Sequence, residues 1–170
     1  KYEKEFKENN DIDYYEELDK LIVSEDFDAF NNKFKEYEDY LISNRNYNDL
    51  MEVYALSLSL FEMNVLFKRE DIDNQMKLIK DNYSLLNSEN KLMFDLCLAE
   101  YYFFVDSNIE KAYQIAEKNR NTENVDWRLR FLKIKVICEF SMGIESASNS
   151  ANKLFELAKE IYGEATPQLL

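Results

Sequence analysis

One hundred and seventy residues, 46% hydrophobic and 15% aromatic, can bury a substantial core in one domain or one uninterrupted array. Two glycines and one proline are too few for the hairpins and bulges of an all-β chain, so long helices joined by short polar loops are expected. A formal charge of −13 repels phosphate backbones and anionic lipid heads, which argues against nucleic-acid or membrane binding by this segment and favours a basic or neutral partner.

Apolar residues recur at helical spacing over 13–23, 27–43, 46–66, 69–86, 88–105, 108–121, 125–142 and 146–162. Acid is concentrated at the front: residues 1–50 hold 7 basic against 15 acidic side chains, whereas 101–170 hold 9 against 10. Breaks fall at Asn44-Arg45-Asn46, Ser88, Asp106-Ser107-Asn108, Asn121 to Asn124, Gly143 and Gly163, residue types that cap helices or tolerate left-handed backbone. Connections this short make consecutive helices antiparallel.

Two stretches need a decision. Trp127-Arg128-Leu129-Arg130-Phe131 alternates apolar and basic residues like a strand, and Ile134-Lys135-Val136 does the same. Read as a helix, 125–142 has two apolar faces, with Val125, Leu129, Leu132, Val136 and Phe140 on one and Trp127, Phe131, Ile134 and Cys138 opposite. No second strand exists for it to pair with, so a helix buried on both sides is expected. Tyr101-Tyr102-Phe103-Phe104 places aromatics all round one helix, the pattern of packing between layers.

Cys97 and Cys138 sit in apolar helical patterns and read as buried thiols in a reducing compartment. No apolar run is long enough to span a membrane and no charged-then-apolar leader is visible, so a cytoplasmic location is expected. The first residue is Lys1, and the chain reads as an excerpt of a longer protein.

The residue inventory points away from an enzyme. Histidine is absent, which removes the commonest general base, the Ser-His and Cys-His pairs, and the most frequent zinc ligand. Glycines at 143 and 163 alone leave no phosphate-cradling loop. Asp71-x-Asp73-Asn74 and Asp11-x-Asp13 start like calcium loops, but Met76 stands where the first would need glycine, so capping explains both and neither metal nor cofactor is expected. Adjacent acids such as Glu16-Glu17, or Glu36 with Asp39, form a solvated face rather than an opposed acid/base pair. Asn82-Tyr83-Ser84 fits a glycosylation acceptor only formally in so asparagine-rich a chain.

Near the end, Ala151-x3-Phe155-x2-Ala158 followed by Tyr162-Gly163-Glu164-Ala165-Thr166-Pro167 resembles the second helix and exit of a tetratricopeptide-type repeat. Small residues at 151 and 158 would let a neighbouring helix approach, Phe155 would fill the space between them, and Thr166-Pro167 would open a further helix. The pattern returns partly at Ala112, Ala116 and Asn119 and as bulkier Ile72, Met76 and Ile79. With a register of 40, positions 54/57/58/61, 94/97/98/101 and 134/137/138/141 resemble the family's first helix. The resemblance implies an all-α fold, a right-handed α-solenoid of antiparallel helix pairs, about four of them, in which each pair must stack on its neighbours to bury its apolar face. Residues 1–170 would form that single domain.

A second resemblance lies at the front, where Tyr15-x2-Leu18-x2-Leu21-Ile22 and Asp26-Phe27-Asp28-x-Phe30 are similar to the entry of the repeat domain in Gram-positive peptide-pheromone receptors. It implies a peptide-sensing domain of a transcription regulator. Repeats that recruit substrate or sense for a larger enzyme are a further reading. Family positions commonly turned to the concave surface fall at Glu52, Ser59, Glu62 and Met63, then Asp95, Ala99, Tyr102 and Phe103, then Lys135 and Glu139. Such an acidic and aromatic strip would suit a protein or peptide with basic and apolar side chains. Self-association remains open.

Overall fold

The computed structural model describes residues 14–163, the side chain of Tyr15 excepted. Thr166-Pro167, Lys1 and Asp11-x-Asp13 therefore lie outside the described residues. Among the described residues eight α-helices follow one another: α1 (Tyr14–Val23), α2 (Phe27–Ser43), α3 (Tyr47–Glu62), α4 (Arg69–Asp81), α5 (Ser88–Glu100), α6 (Ile109–Asn119), α7 (Val125–Met142) and α8 (Ala147–Tyr162). A 3₁₀ turn covers Tyr83–Leu85, a π-helical turn Tyr101–Val105 extends α5, and the described residues include no strand. The fold is all-α, and the alternating stretch from Trp127 lies within α7.

The longer expected spans end early for local reasons. The span 46–66 stops at Glu62 because Asn64 takes φ 56° and Phe67 φ 66°, left-handed conformations that no α-helix continues through. The span 69–86 divides at Asn82, and 88–105 changes pitch at Tyr101, where the amide of Asp106 bonds the Tyr101 carbonyl five residues back.

Three connections share one construction. Glu25, Arg45 and Ser107 have φ of 57°, 53° and 52°, and the next residues, Asp26, Asn46 and Asn108, cap the following helix through their side-chain oxygens. A left-handed residue ends one helix and the Asx residue opens the next by satisfying an otherwise unpaired amide. The chain therefore reverses within three residues.

Each of the pairs α1–α2, α2–α3, α3–α4, α5–α6, α6–α7 and α7–α8 packs together, and the odd-numbered helices also pack on one another, α1 on α3, α3 on α5 and α5 on α7. The Asn48 carboxamide oxygen, in the first turn of α3, accepts bonds from the Asn87 amide and the Asn90 side chain at the start of α5, at 2.9 and 3.3 Å. These two helices thus begin at the same end and run in parallel. Inter-helix polar ties add to the packing: Tyr54 donates to Glu38 at 2.6 Å, Tyr37 donates to Glu17, and Ser57 donates to Gln75 inside the core.

Most of the buried apolar residues fall in two clusters, and α5 contributes to both. Phe94 and Cys97 belong to the larger one with Phe30, Leu50 and Ile72, whereas Leu96 and Ala99 belong to the second with Ala112, Ala116, Trp127 and Phe131. A helix wedged between two cores needs apolar residues all round, as α5 has. The expectation for α7 is corrected here. Trp127, Phe131, Ile134 and Cys138 are buried, but on the other face Val125 and Phe140 are exposed and only Val136 is buried. Phe155 is likewise 39% exposed instead of filling the space between Ala151 and Ala158, although Ala158, Ala112 and Ala116 are buried as small contact residues should be.

Candidate functional site

The odd-numbered helices place a cleft of about 350 Å³ between α3, α5 and α7. Glu52, Ala55, Leu56 and Ser59 line it from α3, Met93, Leu96, Cys97 and Glu100 from α5, and Trp127 and Arg130 from α7. The α3 and α5 sets have the same internal spacing, and each α5 residue lies 41 positions after its α3 counterpart. Parallel helices repeat their facing positions in this way, three and four residues apart. A broader depression along α8 is lined, among the described residues, by Asn152, Lys153, Glu156, Leu157, Lys159 and Glu160, all from that one helix.

Of the lining residues, Leu56, Leu96, Cys97 and Trp127 are buried, Glu52 and Glu100 half-buried, and Ser59 and Arg130 exposed. The Arg130 guanidinium lies 5.2 Å from the Trp127 ring centroid, a cation–π geometry that orients both side chains. One turn beyond Ser59, Glu62 is half-buried, and its Oε1 is withdrawn from solvent without a hydrogen-bond partner. Burial, then the nearby charge of Glu100, pushes the Glu62 carboxyl up to about 7. Burial also raises Glu100, while Arg130 and Lys133 on α7 pull it down. The Cys97 thiol is raised by burial and next by Glu100 and Glu62, so it is an inert lining group. Two carboxyls thus stand near each other across α3 and α5, at the end of the cleft away from Glu52.

The sequence-predicted residues divide between this cleft and elsewhere. Glu52 and Ser59 line it, and Glu62 stands at its end. Met63 caps the end of α3 and is 62% exposed. Tyr102 and Phe103 fall on the π-helical turn and pack against the second core cluster, with the Lys111 ammonium 4.9 Å from the Tyr102 ring centroid. Ala99 is fully buried.

Asp95, Lys135 and Glu139 are occupied internally. Asp95 is buried and accepts bonds from Lys118 at 3.3 Å, Asn119 at 3.0 Å and Tyr83 at 3.5 Å, tying α5 to α6 and to the 3₁₀ turn. Lys135 pairs with Glu139 at 2.6 Å and with Glu117 of α6 at 3.3 Å, and its ammonium lies 5.5 Å from the Tyr113 ring centroid. These are interlocks between helices, not groove side chains. The expected register of 40 is one residue short of the spacing in the cleft, and one residue turns a helical position by about 100°. That slip selected Ala99 where Glu100 lines the cleft. The expected strip also lacks Ala55, Leu56, Met93, Leu96, Cys97, Trp127 and Arg130, although the lone tryptophan beside arginine residues was a usable composition signal.

Among the described residues no group of three or more His, Cys, Asp or Glu side chains could hold a metal ion, and no helix is long and apolar enough to cross a membrane. Against known proteins, no family model, curated protein or solved structure matches the chain.

Proposed function

We propose that this chain is a non-catalytic protein- or peptide-binding module, built as a tetratricopeptide-like, right-handed stack of about four helix pairs. The observation that carries the reading is the cleft itself, to which three successive odd-numbered helices each contribute one wall. In a stack of helix pairs, the first helices of consecutive pairs pack side by side and in parallel and line one surface, and the order α1–α3–α5–α7 with α3 parallel to α5 fits that plan. Tryptophan, methionine, leucine and arginine on the walls are the residue types that dominate recognition energetics: large contact area, a planar cation and a floor that loses little by dehydration. The acidic balance of the chain favours basic partners over nucleic acid. Two free, buried thiols suit a cytoplasmic setting.

Ser59 is exposed at the cleft wall, so Ser59→Arg fills the opening without disturbing the core. A photo-crosslinker at Ala55 should then capture a saturable partner in the parent chain and lose it in the Ser59→Arg variant. Capture that is undiminished in that variant would place binding on another surface.

A further inference from the structure

The two ends of the row of odd-numbered helices differ. The first helix, α1, turns Glu16, Asp19 and Lys20 to water, a polar surface of the kind that closes a stack. The last described one, α7, turns out an apolar face. Four residues carry a helix about 40° beyond a full turn, so Phe131, Lys135 and Glu139 step round α7. They meet, in that order, the second core cluster, Glu117 of α6 and Ser150 of α8. Phe140 lies about 100° further round, past α8, with Leu129 and Val136 on its side. On α8, Ala151, Phe155, Ala158 and Tyr162 form a matching stripe beside the buried row Ala147, Ser150 and Leu154.

Equivalent positions earlier in the chain are covered. Asn46, Asn87 and Asn124 cap α3, α5 and α7 and bring the three helices into alignment, which places Val136 with Leu58 and Ala99, and Phe140 with Phe103. Phe103 packs against the second core cluster, to which α7 contributes, whereas Phe140 is 58% exposed. The middle residues of the small-residue patterns follow suit: Met76 of α4 and Ala116 of α6 are buried, but Phe155 is 39% exposed and Tyr162, one turn past Ala158, 52%. Against α3 and α5 the next odd-numbered helix is packed, and α5 runs parallel to α3. Among the described residues no helix takes that place on α7.

The charge of this face runs against that of the chain. Lys133, two turns before Phe140, and Lys159, one turn after Phe155, are exposed and form no ion pair among the described residues. Asp126 and Glu145 stand at the two ends of α7, and Glu156 and Glu160 are turned away from the α8 stripe. The middle of the face is therefore cationic in a chain of net charge −13. At about 200 Å² per aromatic side chain, the three rings leave roughly 300 Å² in water. That is the size of a functional patch, but far below the ~800 Å² each copy gives to a stable dimer. Two copies paired through it would also set lysine against lysine.

We propose that the α7–α8 face binds an amphipathic helix of a separate protein, lying along α7 with its apolar stripe on Phe140, Phe155 and Tyr162 and a carboxylate side chain between Lys133 and Lys159. A helix satisfies its own backbone, so docking asks only for an apolar stripe and a matched charge. The surface is distinct from the cleft, whose lining residues include none of these five. One chain can thus hold two partners.

The test pans a phage-displayed library of helices about five turns long, the length of α7, on the intact chain. Each helix carries a fixed leucine stripe, and its central flanking positions vary among Glu, Gln, Lys and Arg. Selected sequences are synthesised with fluorescein and titrated by anisotropy. The proposal expects Glu to be enriched at the centre, and Phe140→Asp/Phe155→Asp to weaken binding at least about 10-fold. Lys133→Glu/Lys159→Glu should cost the Glu helix about 5-fold and favour its Lys counterpart, while Ser59→Arg in the cleft leaves the affinity unchanged. Because both lysines are exposed, the charge reversal gives a reading even if the aspartate variant fails to fold. Enrichment of no helix, enrichment without a charge preference, or an affinity indifferent to the charge reversal would overturn the proposal. Binding lost in Ser59→Arg alone would move the helix to the cleft. Sedimentation showing that the parent dimerises, and that Phe140→Asp/Phe155→Asp abolishes the dimer, would give the face to a second copy instead.

Discussion

Lys135 and Glu139 meet at 2.6 Å one turn apart on α7, with only 10% and 1% of their side chains exposed. Glu117 of α6 approaches the same ammonium at 3.3 Å. An ion pair drawn this far from water stabilises little against apolar residues of equal volume, yet breaking it from one side leaves an uncompensated buried charge.

Lys135→Ala should therefore lower unfolding free energy by about 3 kcal/mol in urea titrations, while Lys135→Met combined with Glu139→Leu should cost far less. Burial alone would raise the Glu139 carboxyl, but the bonds from Lys135 and Ser150 and the charges of Lys135 and Lys153 outweigh it and hold the carboxyl below its usual value. A carboxyl depressed on folding adds stability above its unfolded pKa, and that stability disappears as pH falls through the folded value. Below about pH 4 the parent should lose stability more steeply than Glu139→Gln.

Glu62 has the opposite sign. Its carboxyl is raised to about 7 in the folded chain, so between about pH 4.5 and 7 the native state holds a proton that the unfolded state has released. Stability contributed by this group falls as pH rises through that window and stays low above it. Glu62→Gln should flatten this fall between pH 5 and pH 8 and raise Tm at pH 8, by about 2–4 °C for each kcal/mol recovered. An unchanged pH profile in differential scanning calorimetry would count against the buried, repelled carboxyl.

The three reversing loops separate two local effects. Ser107→Gly removes the cost of holding a side chain at φ 52° and should stabilise by about 0.5–1 kcal/mol. Asn108→Ala deletes the cap that accepts from the Lys111 amide and should cost about 1 kcal/mol. Thermal melts of the single and double variants would show whether the effects add.

Phe67 is held at φ 66°, where a bulky residue is strained, with its ring 4.9 Å from that of Phe34 and 6.1 Å from that of Phe30. The packing compensates the backbone. Phe67→Ala loses the ring and keeps the strain, whereas Phe67→Gly loses both, so the glycine variant should be the more stable by about 1 kcal/mol in equilibrium unfolding.

Much of the helical framework was legible because its signals are local. Spans 27–43 and 125–142 end where caps and a left-handed residue stop them, at Asp26 and Asn44 for one and at Asn124 and Gly143 for the other. The small-residue pattern at Ala112 and Ala116 marked close contact correctly, but the same pattern at Ala151 failed to bury Phe155, since burial depends on a neighbour that sequence spacing does not supply. Of the expected strip, Glu52 lines the cleft, whereas Asp95 is held by Asn119 of α6, Lys135 by Glu117 of α6, and Glu139 by Lys135 on its own helix.

Composition, periodicity and capping residues determine by themselves that this chain is helical, acidic and joined by tight turns, because those effects act within one helix or one loop. Which side chains share a cleft was decided by tertiary packing alone. The facing register between parallel helices depends on loop length, on the pitch of turns such as Tyr101–Val105 and on how neighbouring cores seat α5. A single residue of slip there exchanges buried Ala99 for the cleft carboxylate of Glu100.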